Sequence, residues 1–208
     1  MKILGLMWDP REDHFAFHVK SFNGAISKRT ILSYISRLYD PLGFLAPVVF
    51  FMKWFLQQLW LCKVHWDDDL PLELCNTWRT FTEQFDLLSS VKIPRFFGYG
   101  QAPMLVGFSD ASERGYAAVI YLVTHVNGSL NVSLICAKTK VAPLKPLTIS
   151  CLELCGGLLL SRFMKSSELR LHKLKVDQLR LFTDSRIVLA WLKLQPRTLT
   201  TYVSNRVT

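Results

Sequence analysis

The order of apolar segments in the second half of the chain is the feature that most restricts its fold. Three segments with the composition of strands follow one another at 104–110, 115–126 and 131–138, and Asn127-Gly128 is typical of a hairpin turn between the last two. An apolar helix begins near residue 148, and a fourth strand and another helix come after it. This βββαβα order predicts a mixed sheet with helices packed against it.

The first half of the chain is predicted to be mainly helical. Residues 1–20 have the pattern of a strand hairpin whose turn contains Asp9-Pro10. Ser27 is expected to cap a first helix, a strongly apolar second helix is expected from about Val48 to Cys62, and Asp69 is expected to cap a third. We therefore predict an α+β and α/β chain.

The boundaries of the expected domains follow from this change from a mainly helical first half to a strand-rich second half. A short region, 1–20, is the hairpin, a helical region covers 21–98, and the mixed sheet with its helices covers 99–208. The dividing point lies in the connector "VKIPRFFGYGQAP", which is rich in glycine and proline.

Composition indicates a protein with a well-developed core and no membrane span. Hydrophobic residues make up 50% of the chain and the mean hydropathy is +0.21. The longest apolar run, Leu42 to Met52, is shorter than the roughly 20 residues that a spanning helix needs, and no signal peptide is visible. The five cysteines show no CxxC spacing, which favours a reducing compartment. We expect an intracellular, cytoplasmic protein that is not secreted.

The positive charge is concentrated in the second half of the chain. Residues 1–100 contain 11 basic and 10 acidic residues, whereas residues 101–208 contain 14 basic and 6 acidic residues, a net charge of +8. A basic half of this kind predicts a polyanionic partner. Because acidic residues are scarce there, the positions of the few that occur carry information.

Three carboxylates of the second half occupy unusual positions. Asp110 and Asp184 each stand at the end of a predicted strand, where turn chemistry or a helix cap would also explain an aspartate. Glu153 lies in the first turns of an apolar helix, on a face that carries Gly156 and Gly157 and that we expect to be buried. A buried glutamate without a partner costs several kcal/mol, and the glycines suggest close approach of another backbone.

If the three carboxylates converge at one edge of the sheet, they would repel one another unless cations lie between them. Carboxylate oxygens suit Mg²⁺ or Mn²⁺, and two such ions can promote cleavage of a phosphodiester. Asp110, Glu153 and Asp184 are thus the candidate catalytic residues and metal ligands. Backbone phosphates would be bound by neighbouring cations, for which the candidates are Arg114, Lys138, Lys140, Lys145 and Arg186.

These motifs resemble a known family. "GFSDAS", "LTISCLELCGGLLLSRF" and "LRLFTDSRIVLAWL" resemble, in order, the first three acidic motifs of a ribonuclease H domain. The first half resembles the reverse transcriptase of Pao/BEL-type retrotransposons. "KILGLMWDP" is similar to the end of its palm, and "SKRTILSYISRLYDPLGFLAPVVFFMKWFLQQLW" is similar to its thumb and connection.

The resemblance implies hydrolysis of RNA in RNA–DNA hybrids with two Mg²⁺ or Mn²⁺ ions. Asp110 would be shared by both ions, Asp184 would bind one, and Glu153 would hold one ion near the ribose 2′-hydroxyl that distinguishes RNA from DNA. The implied partners are an RNA–DNA hybrid or other nucleic acid and the remaining parts of a polyprotein, without a membrane.

The chain also departs from the ribonuclease H pattern. Such domains carry a fourth acidic ligand beyond the third motif, but no Asp or Glu follows Asp184 here. The sequence is therefore expected to be a fragment truncated at its carboxyl end, with weak or no ribonuclease activity on its own. Two other roles therefore stay open. One is a non-catalytic nucleic-acid-binding or scaffold remnant, and the other is an interaction segment whose exposed Trp54–Trp60 helix binds other polyprotein parts.

Overall fold

The computed structural model describes residues 2–3, 6–19, 21–96, 100–170 and 176–207, without the side chains of 2–3 and 168–170. The chain forms two compact units. The first comprises Met1–Pro41 and Pro47–Phe97, and the second comprises Leu42–Ala46 and Gly98–Thr208. In the described part of the chain, no helix combines the length and the apolar character that crossing a bilayer requires.

The first unit contains a small antiparallel sheet. Its strands lie in the order β1 (Lys2–Ile3), β2 (Leu6–Asp9), β3 (His14–Ala16) and β4 (Lys92–Pro94). β2 and β3 pair from Met7↔Ala16 to Asp9↔His14 around a turn that contains Pro10. The hairpin predicted for this region is confirmed.

Three helices and a 3₁₀ helix form the rest of the first unit. They are α1 (Lys28–Ile35), α2 (Ala46–Leu61), α3 (Leu72–Glu83) and the 3₁₀ helix Phe85–Ser90. Ser27 caps α1 as predicted, since its hydroxyl accepts a hydrogen bond from the Thr30 backbone N–H.

The aspartate run before α3 has a structural role that differs from the predicted one. Asp69 does not cap α3, because Pro71 occupies the cap position and forms no side-chain cap hydrogen bond. Asp67 instead forms a two-point ion pair with Arg29, at 2.7 and 2.9 Å, and Asp68 accepts a hydrogen bond from the His65 backbone N–H. The expected cap was wrong because α3 begins at Leu72, which leaves Asp69 two residues before the cap position.

The core of the first unit is rich in aromatic rings. Met52, Phe55 and Leu59 of α2 are completely buried, and the Phe55 ring lies 5.2 Å from that of Trp78 on α3. Trp60 lies on the other side of α2 with 52% of its surface exposed, and its ring contacts Trp66. The second helix is therefore buried on one face rather than throughout.

The second unit is a four-stranded mixed sheet in the order β7-β6-β5-β8. Its strands are β5 (Gln101–Ser112), β6 (Gly115–Val126), β7 (Ser129–Val141) and β8 (Gln178–Thr183). β5, β6 and β7 form an antiparallel meander, and β8 runs parallel to β5. The turn at Asn127-Gly128 has positive φ at both residues, as the sequence predicts.

Helices of the second unit follow the expected order, with one addition. They are α4 (Ile149–Arg170), α5 (Arg186–Lys193), the 3₁₀ helix Pro196–Thr198 and α6 (Thr201–Val207). The predicted α+β class with a mixed sheet and packed helices is confirmed, whereas α6 was not predicted. Val203 of α6 packs with Leu154 of α4 and Val188 of α5 in a buried cluster.

Candidate active site

Two candidate carboxylates lie near the carboxyl ends of neighbouring parallel strands. The register of β5 and β8 pairs Phe108 with Phe182 and Ser109 with Thr183. Asp110 is the next residue of β5, which continues to Ser112 rather than ending at Asp110 as predicted, because its pairing with β6 extends to Gly115. Asp184 directly follows β8, and both aspartates are exposed. Because neighbouring strands lie about 4.8 Å apart, this register brings both aspartates to one edge of the sheet.

Glu153 reaches the same edge from α4. Its carboxylate accepts a hydrogen bond from the Ser185 hydroxyl, with Oγ and Oε2 2.5 Å apart. Gly156, one turn further along α4, lies so close to the sheet that an added Cβ would be 3.4 Å from the Asp110 carbonyl oxygen. Gly156 thus faces strand backbone, as predicted, but an added Cβ would make only a van der Waals contact there; a Cβ on Gly157 would lie 3.9 Å from the Val188 side chain.

The expected burial of Glu153 is only partly correct. The side chain is half-buried, and Ile149 on the same helical face is 39% exposed. On this face Gly156 and Leu160 are buried, whereas Gly157, like Glu153, is only partly buried. Ser185 supplies the polar partner that a half-buried carboxylate needs.

Ser185 is the residue of this site that sequence reasoning missed. It caps α5, since its Oγ accepts a hydrogen bond from the Val188 backbone N–H at 3.2 Å, and it is only 6% exposed. The alternative that Asp184 caps this helix is therefore wrong, because the cap is one residue later. The available signal was a serine directly before an apolar helical stretch, a standard N-cap pattern.

Asp110 makes a local contact within β5. Its Oδ1 accepts a hydrogen bond from the backbone N–H of Ala111 at 2.7 Å. This contact orients the carboxylate and engages one of its two oxygens. The turn explanation considered for this aspartate is wrong, because the turn lies at 113–114 and its backbone is bonded by the Ser112 hydroxyl, which accepts from the Arg114 N–H.

The chemistry of the donors fits a hard divalent cation, although the ligand atoms are not closely gathered. Among the described residues, one group of three His, Cys, Asp or Glu side chains has its ligand atoms within 4.8 Å of one another. It consists of Asp9, Glu12 and His14. The three candidate carboxylates do not form such a group. Three carboxylates at one sheet edge nevertheless provide the oxygen ligands that Mg²⁺ prefers. Mutual repulsion favours some separation of such groups until a cation binds.

Ion pairs and hydrogen bonds within the first unit explain why Asp9, Glu12 and His14 lie close together. Lys92 donates a hydrogen bond to Glu12 at 2.7 Å and thereby holds the pKa of that carboxyl below its ordinary value. His14 is buried beside the same carboxylate, with Nδ1 3.4 Å from Oε2. Asp9 is engaged by the backbone N–H of Arg11, which lowers its pKa. These acidic groups therefore have cationic or backbone partners within the hairpin and β4.

The candidate phosphate-binding cations are distributed around the second unit. Arg114 lies in the turn between β5 and β6, and Arg186 is the first residue of α5, directly after Ser185. Lys138 and Lys140 are exposed on β7, and the Lys138 ammonium lies 6.0 Å from the centre of the Phe163 ring on α4. The two arginines are therefore within a few residues of Asp110 and Asp184 in sequence. The two lysines lie two strands away from β5, the strand that carries Asp110.

Lys145 lines a cavity of about 360 Å³ together with Tyr116, Cys155, Tyr202 and Arg206. Arg206 stacks on Tyr202, with its guanidinium carbon 3.6 Å from the ring centre. Burial and a hydrogen bond with Cys155 raise the pKa of Tyr202 to about 12, so this hydroxyl is protonated at neutral pH. Arg206 is a second cation of this region that the sequence did not reveal, because α6 was not predicted.

Comparison with known proteins identifies the family. The model of the family described as Pao retrotransposon-like RNaseH-like domain matches residues 27–185, a span that contains all three candidate carboxylates. No curated protein matches the chain. Since the match covers well over half of the chain and agrees with the mixed sheet and its helices, the chain belongs to the Pao retrotransposon-like RNaseH-like domain family.

Proposed function

We propose that this chain hydrolyses the RNA strand of RNA–DNA hybrids, with Asp110, Glu153 and Asp184 as its catalytic carboxylates. One observation carries the proposal. The parallel register of β5 and β8 brings both aspartates to one sheet edge, and Glu153 is hydrogen-bonded to Ser185, the residue after Asp184. Membership of an RNase H-like family supports the same assignment.

The three carboxylates are the residues that would hold two Mg²⁺ or Mn²⁺ ions. When bound, such ions supply an activated water and stabilise the leaving oxygen of a phosphodiester. The chain's own contribution is orientation. Ala111 holds the Asp110 carboxylate and Ser185 holds that of Glu153, and we propose that Glu153 also lies near the ribose 2′-hydroxyl.

The proposed partner is the phosphate backbone of the hybrid. The second half of the chain has a net charge of +8, and Lys138 and Lys140 are exposed on β7, two strands from Asp110 in the same sheet. We assign these lysines, with Arg114, Lys145 and Arg186, to phosphate contacts, which position a nucleic acid without reading its sequence.

We further propose an assignment for the first half of the chain. Residues 1–20 would be the end of a reverse transcriptase palm, residues 21–98 its thumb and connection, and residues 99–208 the ribonuclease H-like domain. The remaining parts of a retrotransposon polyprotein would then be partners of this chain, and the site of action would be the cytoplasm.

The test is cleavage of a labelled RNA–DNA hybrid by the purified chain with Mg²⁺ or Mn²⁺. We expect slow cleavage by the wild type, since it has three of the four acidic ligands, and a loss of at least 100-fold in Asp110→Asn, because Asn removes the negative charge of a metal ligand. Asp177→Asn is the matched control. Asp177 directly precedes β8, at the end opposite Asp184, and should leave the rate unchanged. Equal cleavage by Asp110→Asn and wild type would refute the assignment.

A second function is favoured by the separation of the carboxylate ligand atoms noted above. In this alternative the chain binds nucleic acid through its basic surface without cutting it. The same assay separates the two functions, because binding measured by fluorescence anisotropy together with no cleavage in either metal would support the alternative. Cleavage that is lost in Asp110→Asn would exclude it.

A further inference from the structure

We propose that Ser185 is a positioning residue that holds the Glu153 carboxylate at the edge of the sheet beside Asp184. The effect that we predict on cation binding rests on the proposed function. The contact itself is independent of that function, because it is a hydrogen bond between two side chains of this chain, 32 positions apart in sequence.

The direction of the hydrogen bonds follows from the atoms present. A serine hydroxyl has one proton to donate and two lone pairs to accept with. The Val188 backbone N–H donates to Ser185 Oγ, and an ionised carboxylate can only accept. The hydroxyl proton of Ser185 is therefore directed at Glu153 Oε2, and the hydroxyl links the first turn of α5 to a side chain of α4.

The burial of Ser185 makes this link specific. Its side chain has little freedom, since the residue is 6% exposed and its hydroxyl also serves as the α5 cap. Glu153 is only half-buried, and a long side chain at that position has several rotamers available. Ser185 selects the rotamer that points to the carboxyl end of β8. Loss of the link should let the carboxylate move away from Asp184.

The substitutions must separate this link from the helix cap. Ser185→Gly removes the hydroxyl, and Gly is tolerated at an N-cap with little loss of helix stability. Ser185→Thr keeps both a cap and a hydroxyl donor, so it should restore the wild-type behaviour. Glu153→Ala removes the other partner at a helix position that accepts alanine well.

The first readout is Mn²⁺ binding to the full chain without nucleic acid, followed by electron paramagnetic resonance. We expect Ser185→Gly to bind Mn²⁺ 10- to 100-fold more weakly, the usual effect of losing a partner that orients a ligand. Ser185→Thr should match the wild type. In a Glu153→Ala background, Ser185→Gly should have no additional effect. Unchanged binding in Ser185→Gly, or an equal loss in the Glu153→Ala background, would overturn the proposal.

The second readout is urea unfolding of the cation-free chain, as a double-mutant cycle of Ser185→Gly and Glu153→Ala. A hydrogen bond to a charged group predicts that the two effects on the unfolding equilibrium constant differ from additivity by about tenfold. If the wild type binds no Mn²⁺ but the cycle is non-additive, the cation site fails and the positioning role stands. Additive effects in the cycle overturn the positioning role itself.

Discussion

Gly43 offers the sharpest test of the packing in the second unit. Its φ is +75°, and an added Cβ would lie 1.9 Å from the carbonyl oxygen of Ala137 on β7. The neighbouring Leu42 carbonyl accepts a hydrogen bond from the Ala137 backbone N–H at 2.8 Å. The segment containing Gly43 thus covers part of the outer edge of β7, which would otherwise present an unpaired backbone donor.

The expected cost of Gly43→Ala has two parts. A left-handed φ costs a non-glycine residue roughly 1–2 kcal/mol. The contact at 1.9 Å requires the segment to move away from β7, which removes a hydrogen bond that contributes about 1 kcal/mol. Gly43→Ala should therefore destabilise the chain by about 2–3 kcal/mol.

Gly128→Ala is the matched control, because Gly128 has a φ of +77° with nothing within 4 Å of an added Cβ. It should show the backbone part alone, about 1–2 kcal/mol. Urea unfolding gives both values, and hydrogen exchange of the Ala137 amide reports the local contact. Equal destabilisation by the two substitutions, or an Ala137 amide that stays fully protected in Gly43→Ala, would refute the reasoning.

Two further predictions concern charge. Burial raises the pKa of Tyr34 to about 12 in the folded chain, whereas the unfolded chain has the ordinary value near 10. Between pH 10 and 12 the folded chain keeps a proton that the unfolded chain loses, so the stability should fall as the pH rises. Thermal unfolding of Tyr34→Phe should show a smaller fall over the same pH range. Lys138→Ala and Lys140→Ala should each reduce by about 0.9 the slope of log binding constant against log salt for a hybrid. If both match Lys193→Ala, on α5, these lysines are not phosphate contacts.

Glu12 and Glu153 have hydrogen-bond partners of different charge. Glu12 lies in a hairpin where Lys92 neutralises it, and its lowered pKa reflects that pairing. Glu153 has a neutral hydroxyl as its partner, which orients the carboxylate without cancelling its charge. The second arrangement is the one suited to a cation ligand, since the negative charge remains available.

Most of the local structure could be predicted because it depends on neighbours in sequence. The β2–β3 hairpin, the Ser27 cap, the meander with its Asn127-Gly128 turn and the end of β8 just before Asp184 follow from alternation, turn residues and cap residues. The caps at Asp69 and Asp184 were wrong because a cap depends on which backbone N–H a side chain can reach, and that changes with a shift of one or two residues.

Periodicity and residue type, which are local properties, were enough to predict the class of the fold, the order of the main elements apart from β4 and α6, and the three carboxylates. Only the tertiary structure decided how the carboxylates are related. The parallel pairing of β5 with β8 and the hydrogen bond from Ser185 to Glu153 join segments far apart in the chain. Such contacts depend on how helices pack on the sheet, through close approaches such as that of Gly156 to Asp110, and no local pattern specifies them.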